Sequence, residues 1–406
     1  MFVHLDGGWM SHPFPLSSFR IASPDQLLTV RGLGLKRVRW SPEQSDAPPA
    51  AVDSAAPALP IDPAAPPADA AAARRTDERR QLAEQRAALV LCERQFAEAA
   101  RDCKTLSELV PARPQEAREQ AEALTRALVG KMLVEHELCI RLLTDVAGDK
   151  AAMHALNVTI ISLLMGRGFG LSEADMQDLG TGAMLHDIGK TLLPDRVRHR
   201  EEHFSAAETR FYEEHVAHGV ALARKMGLTS GAMLVLAQHH EHADASGFPR
   251  KITTDRMTVA ARIVALVNRY DKLCNPQSPG RAMTPHEALA LLFAQFKNHF
   301  DTAILGAFIK MMGVYPPGST VQLTDDRFAM VVAVNSSRPL KPRVLAYESG
   351  AAPGDALTLN LEAVSGLGIR RSIRPQQLPA AALDFLSPRL RVAYFFEPAR
   401  GAAVAA

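Results

Sequence analysis

Six residues of the 406-residue chain could act together in one piece of chemistry: His154, the neighbours His186 and Asp187, His215, and the adjacent pair His239 and His240. All lie in stretches with helical spacing. A single histidine on an apolar helix is ordinarily a hydrogen-bonded core or surface residue, but a set spread over several helices asks for a common cause. Imidazoles and a carboxylate projecting from different helices can converge inside a bundle on divalent ions such as Fe, Mn or Zn, with positions left open for water. The four cysteines, Cys92, Cys103, Cys139 and Cys274, form no C-x-x-C pair, so neither a thiol zinc site nor a disulfide framework is suggested. A metal centre without thiolate ligands is catalytic in type rather than a closed structural site.

The elements that must position these residues are mainly α. From Lys150 to Tyr315 nearly every segment has helical periodicity. Ser172-Glu173-Ala174-Asp175 resembles a capping box opening the helix that runs into His186, and Gly189 with Pro194 closes it. After Pro316-Pro317-Gly318 the pattern turns to short β-rich runs at Val321 to Leu323, Ala329 to Asn335 and Arg343 to Tyr347. Ahead of the core, Arg74 to Cys103 and Pro114 to Leu143 are charged, Ala-rich and helical in spacing, suited to packing on the helical core or to pairing two copies as a homodimer. Ala, Pro and Asp dominate residues 46–73, which cannot bury enough surface to offset chain entropy. Before them, β-like runs at Met1 to Leu5 and Leu35 to Trp40 flank a helical stretch from Ser23 to Gly32. The expected organisation is a small N-terminal α/β domain (1–45), an Ala/Pro-rich linker (46–73), a helical region (74–149), a catalytic-type helical domain (150–318) and a β-rich C-terminal extension and tail (319–406).

Hydrophobic residues at 47% and charged residues at 22% are ordinary globular composition. With 46 Lys+Arg against 44 Asp+Glu, a net charge of +2 argues against a nucleic-acid polymer or an anionic membrane as the main partner. His4, Asp6 and His12 interrupt the apolar N-terminus, and no later segment approaches ~18 uncharged apolar residues, so no signal peptide or membrane span is expected. These features and the cysteine usage fit a cytoplasmic protein.

Three stretches carry a family likeness. LHDIGK at Leu185 to Lys190, HHEHADASGFP at His239 to Pro249 and ARIVALVNRYDKL at Ala261 to Leu273 resemble the HD-GYP proteins. The order His, then His-Asp-x-Gly-Lys, then His with Gly four residues on (His215, Gly219), then His-His-Glu is far more specific than a lone His-Asp pair. The opening LDGGWMSHPFPLSSFRI is similar to the short uncharacterised domain often found before HD-GYP domains. The resemblance implies an HD-type helical bundle over 150–318 and a metal-dependent phosphodiesterase. Its substrate would be the bacterial second messenger cyclic di-GMP, opened to a linear dinucleotide or to GMP.

By motif position, the implied metal ligands are His154, His186, Asp187, His215, His239 and His240. Asp187 would bridge two divalent ions, Fe or Mn ahead of Zn, because one carboxylate has two oxygens to share. Lys190 lies one helical turn beyond His186 and would set its ammonium against a substrate phosphate. Water activated by the metals would attack phosphorus in line, which makes Asp187 and Lys190 the expected catalytic residues. Glu241 and Asp244 would orient the histidines, or else are plain surface acids, and Asp271 occupies the next acidic place in the motif. Gly247-Phe248-Pro249 stands for the namesake Gly-Tyr-Pro without the phenol hydroxyl, with Ala245 where glycine is usual. Through that loop a protein partner, such as a diguanylate cyclase, would dock.

The chain also departs from the family. Asn268 stands where most members have an aspartate ligand; an amide oxygen can coordinate but brings no charge. Lys150 replaces a Glu that some members carry ahead of the first histidine, which argues against a third metal. With so few carboxylates the second ion should bind more weakly than the first. The stretch after Leu273 lacks the usual Arg-Pro-Tyr, so Arg281 receives no substrate role. His199, His203, His218, His242, His286 and His299 match no ligand position and read as surface or packing residues. The residues allow two classes of function: the enzyme, favoured by the intact histidine set and Lys190, and a non-catalytic HD-GYP signalling module binding nucleotide or a protein, favoured by Asn268 and Lys150.

Overall fold

The computed structural model describes residues 2–4, 18–21, 37–41, 68–134, 137–144, 148–199, 204–352 and 356–399, with isolated positions 27, 30 and 31. Near the N-terminus, β1 (Phe2–His4) is hydrogen-bonded on both sides, to β2 (Ser18–Arg20) and β3 (Arg39–Ser41), in an antiparallel sheet. Most of the helix expected over Ser23 to Gly32, the linker up to residue 67, and His203 lie outside the described residues.

A 42-residue helix, α1 (Ala68–Leu109), begins inside the stretch expected to be a linker. Once Pro66 and Pro67 are passed, the run ADAAAARR is built from strong helix formers with nothing to interrupt it. Helix α2 (Pro114–Val134) opens on a proline at its first position. The helix expected to continue to Leu143 stops short, because Leu138–Leu142 is a strand, β4, buried at every position. Its alternation was hidden: a strand covered on both faces reads as a continuous apolar run.

The bundle that carries the site comprises α3 (Lys150–Gly168), α4 (Glu173–Leu185), α5 (Ala206–Met226), α6 (Ser230–Gln238) and α7 (Val259–Cys274), followed by α8 (Pro285–Gln295) and α9 (Thr302–Met312). Side chains satisfy the first backbone amides of these helices: Asp149, Ser172, Ser205, Thr229, Thr258 and Thr284 each accept one at an N-terminus, and Asp301 accepts two. Helix α3 is the central strut, buried at every residue from Leu156 to Gly166. Helix α4 ends at Leu185, earlier than the Gly189–Pro194 stop, and the chain passes through His186 and Asp187 into a 3₁₀ segment, Ile188–Leu192.

Gly189 explains how that segment docks. A Cβ there would lie 1.9 Å from the His215 carbonyl oxygen and 2.4 Å from the Gly219 amide nitrogen, so backbone meets backbone and only glycine fits. The contact brings the His-Asp segment against the turn of α5 that bears His215.

The β-rich tail forms an antiparallel sheet in the order β10-β4-β6-β5-β9, with β7 on β6 and β8 on β7. Its strands are β5 (Thr320–Leu323), β6 (Phe328–Asn335), β7 (Arg343–Ala346), β8 (Thr358–Asn360), β9 (Ile369–Ser372) and β10 (Tyr394–Pro398), and β4 joins from ahead of the bundle. One face, with Ile140, Met330, Val332 and Tyr394, shares the large apolar core of the bundle; the other, with Val321, Val331 and Val344, forms a second cluster. Tyr394 fastens the two: its hydroxyl lies 3.2 Å from the Tyr270 hydroxyl of α7 and donates to the Pro317 carbonyl at 3.3 Å. Among the described residues no helix is long and apolar enough to cross a membrane.

Candidate metal centre

Three histidines are aimed by the same local device. His186, His215 and His239 each sit at or near the end of a helical turn, where the carbonyl three residues back lies beside the ring: Ala183 O at 2.7 Å from His186 Nδ1, Tyr212 O beside His215 Nδ1, and Leu236 O at 2.8 Å from His239 Nδ1. A carbonyl only accepts, so each Nδ1 carries the proton and each Nε2 presents its lone pair inward. His154 reaches the same result through a carboxylate: its Nδ1 is 2.6 Å from Asp271 Oδ2 on α7.

Asp187 is the hub of this arrangement. Its Oδ1 lies 3.6 Å from both His215 Nε2 and His239 Nε2, and its Oδ2 lies 3.4 Å from His186 Nε2 and 3.6 Å from His154 Nε2. His215 Nε2 and His239 Nε2 face each other at 3.4 Å, two lone pairs with no proton between them. A tetrahedral ion with bonds of ~2.1 Å sets its ligands ~3.4 Å apart, so these spacings fit the edges of a coordination shell. Two groups of potential ligands share Asp187: one adds His215, His239 and His240, the other His154 and His186. The buried atoms left without a hydrogen-bond partner include His154 Nε2, His186 Nε2, His240 Nε2, Asp187 Oδ1 and Asn268 Oδ1. Orphaned acceptors are costly in a folded interior, and a divalent cation satisfies them. The residues present therefore fit a metal.

Electrostatics agree. Burial pushes His186 down to about 4 and His215 down to about 2, and lowers His239 and His240 as well, which keeps these imidazoles neutral as ligands must be. Burial opposes the charge on Asp187 too, but the Lys190 and Lys272 ammoniums beside it outweigh that and hold its carboxyl well below the usual range.

The other expected site residues divide. Asp271 orients His154, and its Oδ1 accepts from Asn157 and Asn275, each at 2.9 Å. Asn268 is buried on α7 and lines the cleft with its amide oxygen unpartnered. Lys190 stays close to Asp187: with the helix broken at His186, its Nζ bonds Asp187 Oδ2 at 2.6 Å and sits 5.3 Å from the Tyr212 ring centroid. Glu241 does not touch an imidazole. Its carboxylate accepts the backbone N–H groups of Arg250 and Ile252 at 2.6 and 3.1 Å, fixing the loop. Asp244 is a surface acid that accepts from Ser246 N at 3.0 Å and approaches His299 at 3.7 Å. Gly247 is buried, and Phe248 stacks on His240 with 4.5 Å between centroids, so the ring covers the centre. Asp187 and Lys190 do come together with the cluster, as motif position suggests.

Sequence reasoning missed Lys272, whose buried Nζ lies 3.7 Å from Asp187 Oδ2. The available signal was its place one turn after Asn268 and next to Asp271. It also missed Asn157 and Asn275, which tie Asp271 to the Val392 carbonyl at 3.0 and 2.9 Å. Isolated amides in apolar helices give no such signal. The centre opens into a cleft of about 1630 Å³, whose walls include Lys150, Arg198, Lys251, Arg281 and Arg391. That is roomier than the ~300–1,000 Å³ of a small-molecule pocket, and its cations suit an extended anionic ligand.

Residues 106–304 match the HD domain model, and residues 1–121 match a domain of unknown function, DUF3391, which thus extends past residue 45. The chain is 28% identical over 357 residues to the cyclic di-GMP phosphodiesterase PA4108 of Pseudomonas aeruginosa, covering 86% of this chain and 83% of that one. A 3'3'-cGAMP-specific phosphodiesterase 2 of Vibrio cholerae is 28% identical over 154 residues, 37% of this chain and 30% of that protein. Among solved structures, Bd1817, an HD-GYP-type protein of Bdellovibrio bacteriovorus, is similar over 50% of this chain and 66% of that one, with 16% identity and a TM-score of 0.41. The chain carries an HD domain behind an N-terminal DUF3391 domain, and the Pseudomonas relative that it matches over most of its length is a cyclic di-GMP phosphodiesterase.

Proposed function

We propose that this protein is a metal-dependent phosphodiesterase that hydrolyses cyclic di-GMP in bacterial second-messenger signalling. The observation that carries the reading is the convergence of five inward-facing imidazoles on one carboxylate, Asp187, at the floor of a cationic cleft. The HD-domain match and the likeness to the cyclic di-GMP phosphodiesterase of Pseudomonas support it. The histidines and Asp187 offer two half-sites for divalent ions, Fe or Mn, with Zn the alternative. When bound, such an ion supplies Lewis acidity toward a phosphoryl oxygen and makes water acidic enough to attack near neutral pH.

The chain's own residues do the rest. Asp187 and the Nε2 atoms hold the charge that binds the ion, and the Nδ1 hydrogen bonds keep those atoms aimed. Lys190, anchored on Asp187, places an ammonium where charge develops on the phosphoryl oxygens. Phe248 closes one side over His240 and limits water there. The basic wall holds the second phosphate of a cyclic dinucleotide.

Asn268 favours a second reading, in which a centre short of one carboxylate binds nucleotide or a partner such as a diguanylate cyclase without turnover. One experiment separates them: protein purified with Mn or Fe is assayed for metal content and for hydrolysis of cyclic di-GMP, with 3'3'-cGAMP as the competing substrate and chromatography of the products. Turnover to linear dinucleotide or GMP that chelation abolishes supports the enzyme. Tight binding of cyclic di-GMP with no product supports the module.

A further inference from the structure

The two oxygens of Asp187 keep different company. On the Oδ1 side the described residues supply imidazoles, His215 and His239 at 3.6 Å, with His240 in the same group. On the Oδ2 side His186 and His154 are joined by two ammoniums, Lys190 Nζ at 2.6 Å and Lys272 Nζ at 3.7 Å. Lys190 is directly bonded to Asp187, and that pair is electrically balanced. Lys272 is left over: its Nζ is buried without a hydrogen-bond partner. The adjacent carboxylate, Asp271, is turned onto His154 and the Asn157 and Asn275 amides. One turn before Lys272, on the same face of α7, a carboxylate would complete the pair. Asn268 stands there, with a neutral amide whose oxygen is itself unpartnered. Two ammoniums thus share one carboxylate, and a divalent ion entering on this side meets a surplus of positive charge.

We infer that Lys272 holds the place of the second divalent ion. The chain binds one metal, through Asp187 Oδ1, His215, His239 and His240, and the Lys272 ammonium supplies the positive charge on the Oδ2 side, facing the cleft and the phosphate of a bound ligand. This rests on the metal-dependent reading of the site and narrows it to a one-metal centre.

The test counts metal in the full chain equilibrated with Mn(II) over a concentration series, for the native protein, Lys272→Met and Lys272→Gln, two variants that remove the charge and keep the length. One Mn per native chain is expected and two in each variant, the second bound at least tenfold more tightly than any second ion in the native protein. Electron paramagnetic resonance should show a coupled Mn pair in the variants alone. Two tightly bound ions in the native chain overturn the inference, as does a single ion in all three proteins. If both variants fail to fold, the native count still decides between one ion and two. The count needs no substrate: a chain with one Mn and no hydrolysis defeats the phosphodiesterase reading alone, and a chain with two Mn and full turnover defeats this inference alone. A native chain that binds no Mn overturns both.

Discussion

Asp271 Oδ2 stands 2.6 Å from His154 Nδ1, and this contact decides which nitrogen of His154 faces the centre. Burial works against a charged His154, but the nearby carboxylates of Asp187 and Asp271 prevail and raise its pKa. The same Asp271 accepts from Asn157 and Asn275, which also bond the Val392 carbonyl beside β10. The C-terminal sheet is therefore bolted to His154, on the Oδ2 side of Asp187, through two amides and one carboxylate.

Replacing Asp271 by Asn removes the charge that polarises His154 while keeping the shape. Loss of such an orienting partner typically weakens metal binding about 10- to 100-fold. In the Lys272→Met background, where a second ion is expected on the Oδ2 side, a chelator-competition titration should show that drop for the second ion when Asp271→Asn is added, with unchanged helical circular dichroism. Equal affinity for the second ion with and without Asp271→Asn would mean that His154 is not one of its ligands.

Asp187→Ala should abolish metal binding, since both half-sites lose their shared anion. Helical content should persist, because α3, α4 and α7 are held by apolar burial and not by the ion. Metal stoichiometry equal to the parent's would place the centre elsewhere.

Lys190→Ala tests the ammonium on Asp187. Removing a cation from beside Oδ2 cannot weaken metal binding electrostatically, yet a lost hydrogen bond to a charged phosphoryl group costs about 1.5 to 3 kcal/mol. Turnover should fall roughly 10- to 150-fold at saturating metal. Unchanged turnover would leave Lys190 as a structural partner of Asp187.

Much of this was legible in the sequence because ligand chemistry leaves residue types that nothing else demands. His154, His186, His215 and His239 lie on or at the ends of helices, and the Ser172 cap of the helix that runs into His186 also read directly from the chain. What did not read was set by distant partners. Leu138–Leu142 became a strand only because β10 and β6 flank it, nearly two hundred residues or more away in sequence. Glu241 looked like an acid beside two ligands, but the loop's return at Arg250 and Ile252 claims both its oxygens. Lys272 matches no ligand position, and its closeness to Asp187 comes from how the His-Asp segment docks against α7, which spacing alone does not reveal.

Asp301 offers a test of stability away from the centre. It caps α9, accepting from Ala303 N at 2.9 Å and Ile304 N at 3.1 Å, and pairs with Arg262 at 2.6 Å. Burial would raise its pKa, but the Ile304 amide and Arg262 hold it below the ordinary value. A depressed carboxyl stabilises the fold fully above the unfolded pKa of ~3.9, and that contribution fades as pH falls through the folded value. Asp301→Ala should therefore cost about 1 to 2 kcal/mol at pH 7. The gap between parent and variant should narrow below about pH 4. A gap in urea midpoint that stays constant from pH 7 to pH 3 would show that its charge contributes nothing.

Asn268→Asp adds the charge that the resemblance to the HD-GYP proteins leads one to expect at this position. The new carboxylate would lie one turn from Lys272 on the same helix face and beside the orphaned ligand atoms, so it would neutralise the surplus ammonium and attract a cation at once. Asn and Asp are nearly isosteric, so the effect is electrostatic. The variant should take up a second Mn at concentrations where the parent holds one. Hydrolysis of cyclic di-GMP, monitored while Mn is titrated, then distinguishes three states of the parent. A rate gain at low metal that vanishes at saturation identifies an enzyme with a weak second site. A gain that persists at saturation shows that the second ion, once admitted, outperforms the lysine; product from the variant alone identifies the parent as a binding module. If neither metal uptake nor rate changes, the buried oxygen of Asn268 does not face the metals, and the register of α7 against the His-Asp segment must be redrawn.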